Sequence, residues 1–225
     1  MSRVQILFEN EYLAVAVKPC GVLSEDTGDD SSMPGILREA LGCDVFPIHR
    51  LDRAVGGTML FAKNRKGAAY LSDLVSRGLV KKEYLAVVDG APDETGEMTD
   101  LLFKDSSKNK SFVVKRMRRG VKSATLRFER MAKTENVSLV KVELVTGRSH
   151  QIRVQFASRG MPLLGDGKYG SRDGKCQIAL WCFRLTFPGR DGETLVFSSL
   201  PEEHYPWDLF RIPDIPNNSD RKEPT

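Results

Sequence analysis

Apolar and polar residues alternate from Gln5 to Lys18, in QILFENEYLAVAVK, and the alternation breaks at Glu9-Asn10-Glu11. Two such runs around a polar turn predict a β-hairpin, closed by Pro19 and Gly21. The polar stretch EDTGDDSSM over 25–33 reads as a loop. Pro34–Leu41 reads as a short helix, with Pro in its first turn and Gly42 just past its end. The texture then changes. TMLFA at Thr58–Ala62 is a buried strand, and Asn64 caps a helix that carries Ala68, Leu71, Leu74 and Val75 on one face and stops at Gly78.

Lys82–Val88 reads as a strand, and Ser123–Met131 with Val137–Val145 as a long hairpin. His150–Ser158 is a short helix ended by Gly160. Gln177–Thr186 and Thr194–Ser198 are late strands on either side of the turn sequence PGRDG. Residues 91–122 show no convincing core pattern, and 104–122 are expected to form a mobile basic arm. The sum predicts an α+β class: a mixed, mainly antiparallel extended sheet with flanking helices and loops, rather than regular βαβ alternation. One domain is expected over 1–212, followed by a Pro-, Asn- and charge-rich tail, 213–225, expected to be disordered.

Composition narrows the setting. At 225 residues the chain can bury a substantial core. No run approaches the roughly 20 apolar residues needed to cross a bilayer, and the first residues, MSRVQILFENEY, place acids where a signal peptide would be apolar. A cytoplasmic protein without membrane partners is therefore expected. Cys20, Cys43, Cys176 and Cys182 form no CxxC pair and have no histidine cluster beside them, so neither a metal nor a disulfide framework is expected.

The net charge of +4 hides an uneven distribution. Residues 1–46 hold three Lys/Arg against eight Asp/Glu, and so do residues 191–225, which leaves 28 basic against 14 acidic residues, a net +14, in 47–190. From Lys104 to Lys122, eight basic residues face Asp105 alone. Such a segment suits a polyanion, although lopsided charge also occurs on ordinary solvated surfaces. Gly165-Asp166-Gly167-Lys168 is no phosphate-binding loop, and no GxGxxG follows a strand.

Three islands place charge where the chain should turn into or out of its core: His49-Arg50-Leu51-Asp52, Lys82-Glu83-Tyr84, and Thr146-Gly147-Arg148-Ser149-His150-Gln151-Ile152-Arg153. Asp52 falls on a Gly-rich loop at a sheet end, where catalytic side chains are often displayed, but spacing alone equally allows an Asp that caps a turn or pairs with Arg53. Spacing likewise allows Arg153 to be a helix-surface residue and Tyr84 a packed strand residue.

In this order the islands resemble the signature of RluA-like RNA pseudouridine synthases. The likeness begins at Lys18-Pro19-Cys20-Gly21, passes through HRLD and KxY, and reaches TGRSHQIR and Pro162-Leu163-Leu164-Gly165-Asp166, spanning about residues 5–200. It implies an enzyme that isomerises a uridine within rRNA or tRNA and needs no cofactor. Asp52 is then the catalytic carboxylate, which attacks the ribose C1′ or removes a sugar proton, and Arg153 the basic partner that keeps it ionised. Tyr84 matches the active-site tyrosine, and Arg50 the planar cation that enters the RNA stack as the base flips out. His49, Arg148, His150 and Gln151 are expected to line the RNA site, the two histidines by structural hydrogen bonding rather than acid–base work. Lys115, Arg116, Arg118 and Arg119 are expected to grip phosphates. A monomer without an N-terminal S4-type module is expected.

The chain departs from the family pattern after HRLD. Where relatives resemble xxTSG, it has Arg53-Ala54-Val55-Gly56-Gly57, which puts loop rigidity and substrate in question. Two other readings stay open: a non-catalytic RNA-binding or ribosome-assembly module, and a carboxylate-dependent glycosidase, for which a second catalytic acid is not evident.

Overall fold

The computed structural model describes residues 4–26, 28 and 31–212, so the expected tail at 213–225 lies outside the described residues. The chain forms two compact units. The first holds the described residues up to Lys82 together with Trp181–Pro201; the second holds Glu83–Leu180 and Glu202–Ile212.

In the first unit, β1 (Ile6–Glu9) and β2 (Leu13–Lys18) form the expected hairpin, whose turn is tied by Asn10 Oδ1 accepting from the Tyr12 and Leu13 amides at 2.9 and 3.0 Å. α1 (Met33–Leu41) starts at Ser32, whose hydroxyl accepts from the Gly35 amide, and ends at left-handed Gly42. The two-residue β3 (Phe46–Pro47) and β2 both pair antiparallel with β4 (Gly56–Ala62). Every residue of β4 is buried, which is why its sequence is apolar without alternation. α2 (Arg65–Ser76) is capped by Asn64 and buries Leu71 and Leu74. β10 (Leu180–Pro188) lies parallel to β4 through Trp181 and Cys182, and β11 (Thr194–Ser198) returns antiparallel to it. Phe197 packs between Phe8 and Phe187, with centroids 5.2 and 5.9 Å away.

The second unit is antiparallel throughout its ladders, in the order β5-β9-β8-β6-β7: β5 (Lys81–Asp89, entering this unit at Glu83), β9 (Val137–Leu144), β8 (Val121–Lys133), β6 (Thr95–Asp105) and β7 (Lys110–Val114). α3 (Gln151–Ala157) buries Val154 against Leu102 and Ala124, and Phe156 edge-on to Phe128. The buried Gln155 amide donates to Met98 O, Ala124 O and Asp100 Oδ2, fastening α3 to β6 and β8.

The fold class is the expected mainly antiparallel α+β arrangement. The basic arm expected over 104–122 is not an arm. β6 runs through Lys104, β7 occupies 110–114 and β8 begins at Val121, leaving a tight turn and one exposed connection, 115–120. Its core pattern escapes notice because β6 buries only Met98 and Leu102, four residues apart, among exposed or half-buried polar positions. Ladder hydrogen bonds on both edges of β6, rather than apolar alternation, hold this hairpin. Among the described residues, no helix is long and apolar enough to cross a membrane.

Candidate active site

In the first unit, Asp52 sits half-buried in a turn whose flanks are both fastened to residues 18–24. On one side, the buried Ser24 hydroxyl donates to Leu51 O at 2.7 Å and accepts from the Leu51 amide at 3.0 Å. On the other, Arg53 O accepts from the Gly21 amide at 2.8 Å and from Lys18 Nζ at 3.2 Å, while Arg53 Nε donates to Gly21 O at 2.9 Å. The Val55 amide closes the turn onto Asp52 O at 2.9 Å. Gly21, at φ +88, supplies the left-handed bend that lets its amide and carbonyl both face Arg53. Lys18 is fully buried, and burial lowers its ammonium to a pKa of about 8, with Cys20 and Asp52 pulling it back up and Arg53 adding to the depression. It therefore remains mostly charged at neutral pH, a buried cation beneath the Asp52 turn.

Arg50 projects into solvent with 61% of its side chain exposed and pairs with an equally exposed Glu25 at 2.8 Å. An ion pair this exposed is worth about 0–1 kcal/mol, so Arg50 can be recruited by an incoming anion. His49 is instead engaged with the main chain. Its Nε2 accepts from the Leu60 amide at 3.2 Å, which places the ring hydrogen on Nδ1, a buried atom without a partner among the described residues. Burial, with Lys82 adding to it, drops its pKa to about 3, so the imidazole is neutral across the physiological range.

In the second unit, the loop before α3 and its first turn collect Arg148, His150, Gln151 and Arg153. Gln151 Oε1 accepts from Thr146 Oγ1 at 2.9 Å and from the Arg148 amide at 3.0 Å, bracing the loop, and Arg148 Nε donates to Ser123 O. His150 takes a left-handed conformation, φ 54, at the helix start. Arg153 is buried. Its Nε and Nη2 donate to Asp166 Oδ2 and Oδ1 at 2.6 and 2.9 Å, the side chains being 6% and 1% exposed, and its guanidinium lies 5.1 Å from the centre of the Tyr169 ring. Tyr84 is buried on β5, opposite Val142 of β9. Lys115, Arg116, Arg118 and Arg119 all lie exposed on the β7–β8 connection, where Arg118 stacks 4.9 Å from the Phe103 ring.

The structure thus brings His49, Arg50 and Asp52 together on one turn, four expected residues together around the start of α3, and the four phosphate-binding candidates on one connection. The family model for RNA pseudouridylate synthase matches residues 12–158, well over half of the chain. The chain belongs to this family. A mitochondrial tRNA pseudouridine(32) synthase of Saccharomyces cerevisiae is 31% identical over 203 residues, covering 88% of this chain and 43% of its own length. A ribosomal large subunit pseudouridine synthase C of Haemophilus influenzae is 32% identical over 210 residues, covering 87% of this chain and 64% of its own. This chain therefore spans less than two thirds of either relative. The fold is also that of human RNA pseudouridylate synthase domain containing 1, at TM-score 0.76 and 21% identity, over 92% of this chain and 86% of that one.

For a pseudouridylate synthase family member, the departure after Asp52 has a structural counterpart. A Cβ at Gly56 would lie 2.3 Å from the Trp181 ring, and one at Gly57, φ +122, would lie 2.3 Å from Cys182 O. The Trp181 indole, whose Nε1 donates to Ser199 O at 2.9 Å, occupies the room a serine would need. After Asp52 the chain is thus buttressed by close packing of Gly56 and Gly57 against Trp181 and Cys182 of β10. Sequence reasoning assigns no role to Lys18, Ser24, Asp166 or Tyr169. Lys18 and Asp166 stand inside the KPxG and PLLGD motifs, whereas Ser24 and Tyr169 carry no signal beyond their proximity to them.

Proposed function

We propose that this chain is an RNA pseudouridine synthase acting on uridine in rRNA or tRNA, with residues 1–212 as the catalytic region, working as a cytoplasmic monomer. The observation that carries the reading is the family match together with a fastened, half-buried Asp52 turn. Asp52 supplies the carboxylate, which either attacks C1′ or takes a sugar proton as the N1–C1′ bond breaks. The detached uracil anion then turns and bonds to C1′ through C5, as the Asp52–C1′ ester breaks in the first route or the sugar regains its proton in the second; the C5 proton leaves, and N1 gains one. Atoms and electrons balance within one nucleotide and water, so the chemistry calls for positioning and electrostatics. Arg153 takes the role of the family's basic residue, and Tyr84 offers a ring to the flipped base. Arg50 enters the stack that the uridine leaves, and the 115–120 connection with Arg148 holds phosphates. The names of the two relatives, one tRNA and one ribosomal, support either RNA class as substrate.

Asp52→Asn tests the reading. The variant is expected to bind RNA like the parent and to lose pseudouridine formation by roughly 10³-fold or more, read by carbodiimide labelling and primer extension on rRNA and tRNA from a strain lacking the gene. Retained turnover, or absence of product from the parent on both RNAs, overturns it.

A further inference from the structure

Arg153 is held by a short turn, 166–171, that also grips β7. Asp166 O accepts from the amides of Tyr169 at 3.0 Å and Ser171 at 3.1 Å, which ties Asp166 and Tyr169 into one hydrogen-bonded turn. At one end the Asp166 carboxylate takes the Nε and Nη2 edge of the guanidinium, and the Tyr169 ring packs against its face. At the other, the Tyr169 hydroxyl accepts from the Ser111 amide at 2.8 Å and lies 3.1 Å from Ser111 O and 2.9 Å from His150 Nδ1. A phenol has one donor and two acceptor positions, so all three contacts are satisfied only if the hydroxyl donates to Ser111 O and His150 Nδ1 carries a hydrogen. Around this hub, Lys110 Nζ donates to Lys168 O and lies 4.9 Å from the Tyr169 ring centre. Lys168 Nζ donates to Asn109 O, and the Ser111 hydroxyl donates to Ser149 O.

β7 runs from Lys110 to Val114 and passes directly into the exposed connection bearing Lys115, Arg116, Arg118 and Arg119. A load applied there by bound phosphates acts on the strand whose main chain Tyr169 holds at two points. We propose that Tyr169 is a positioning residue that ties RNA engagement by the β6–β7 hairpin and the 115–120 connection to the orientation of the Arg153 guanidinium. RNA held by the hairpin thereby raises turnover as well as affinity. The inference rests on the reading of Arg153 as the basic residue of the reaction.

Tyr169→Phe keeps the ring and removes the hydroxyl's three hydrogen bonds. It is expected to bind RNA much as the parent does, while its rate at saturating enzyme in single turnover falls about tenfold, the order expected for a small misplacement of a positioned group. The decisive measurement is a cycle with a variant in which Lys115, Arg116, Arg118 and Arg119 are all replaced by Gln. In the parent background this replacement should weaken binding and lower the saturating rate; in the Tyr169→Phe background it should weaken binding equally and lower the rate no further. Independent, multiplicative rate effects overturn the coupling, because a merely structural Tyr169 would change melting temperature and leave the two rate losses additive in energy. If Tyr169→Phe does not fold, Lys110→Met, which removes only the ammonium interactions on the same turn, takes its place in the cycle with the same two outcomes. Arg153→Ala separates the premises: an active Arg153→Ala removes the site reading and this inference together, whereas an inactive one beside a multiplicative cycle removes the coupling alone.

Discussion

Asp52 and Arg153 are held by different kinds of contact. Around Asp52 the residues on either side are fastened, Leu51 by Ser24 and Arg53 by Gly21 and Lys18, and each of these bonds involves main chain. Around Arg153 the fastening is side chain to side chain, through a bidentate carboxylate and an aromatic face, in a buried setting. A turn held by its backbone tolerates side-chain change but not a new Cβ in the wrong place. A buried guanidinium tolerates neither the loss of its carboxylate nor a poor substitute for it, because an uncompensated charge in low dielectric is costly.

The largest effects should therefore come from different substitutions in the two units. Asp166→Ala removes the bidentate carboxylate from the buried Arg153 guanidinium and should lose up to about 3–5 kcal/mol of stability. Gly57→Ala drives a methyl to within 2.3 Å of Cys182 O and should cost about 1–3 kcal/mol, as overpacking does. Chemical denaturation of both variants checks the ranking, and an Asp166→Ala protein as stable as the parent would mean that the ion pair adds nothing to the second unit's fold.

The pH response should separate the units next. In the first, His49 has a folded pKa of about 3 against an ordinary 6.5, so the unfolded chain takes up the proton first as pH falls. Stability is then lost below pH 6.5 at roughly 1.4 kcal/mol per pH unit from this group, until about pH 3. Lys18, lowered to about 8, works in the same sense at the alkaline side: between about 8 and 10.5 the unfolded chain retains a proton that the folded one has released, so stability rises with pH. In the second unit burial first and Asp173 second raise Asp89, while hydrogen bonds led by Tyr205 lower Asp173, so these two carboxylates act on acid stability in opposite senses. His49→Gln, whose amide oxygen can accept from the Leu60 amide, should flatten the stability profile between pH 6.5 and 4.5. An unaltered slope would assign the acid sensitivity elsewhere.

How much of this is legible in the sequence follows from the same contrast. The hairpin at Gln5–Lys18, the Asn64-capped helix and the α3 segment declare themselves through caps, turns and periodicity, which are local. Asp52 and Arg153 declare themselves through long motifs. Ser24 and Tyr169 do not, and Asp166 shows in its motif without its role, because what matters about them is which distant group they face: Ser24 reaches Leu51 across 27 residues and Tyr169 reaches Ser111 across 58. The hairpin at 95–114 escapes sequence reasoning for a related reason. Its inner strand β6 is fixed by ladder partners on β8 and its outer strand β7 by those on β6, not by an apolar stripe of their own, so charge dominates the pattern and suggests an arm.

The smallest effects concern binding, and here the two units again differ in how their cations are committed. Each phosphate that is no longer neutralised lowers the slope of log affinity against log salt by about 0.7 for single-stranded and 0.9 for duplex nucleic acid. Replacing Lys115, Arg116, Arg118 and Arg119 by Gln should therefore flatten the slope by up to about 3–4 and weaken binding across RNA sequences alike, since phosphates carry no sequence. Arg50→Gln should do less to the slope, because Glu25 already partly neutralises Arg50 before RNA arrives and must be released when it binds. A titration of one rRNA fragment and one tRNA over a range of salt concentrations, with the parent and both variants, reads these differences directly. If Arg50→Gln flattens the slope as much as the fourfold change does, the first unit carries the main phosphate grip. The +14 of residues 47–190 then marks solvated surface rather than the path of the RNA.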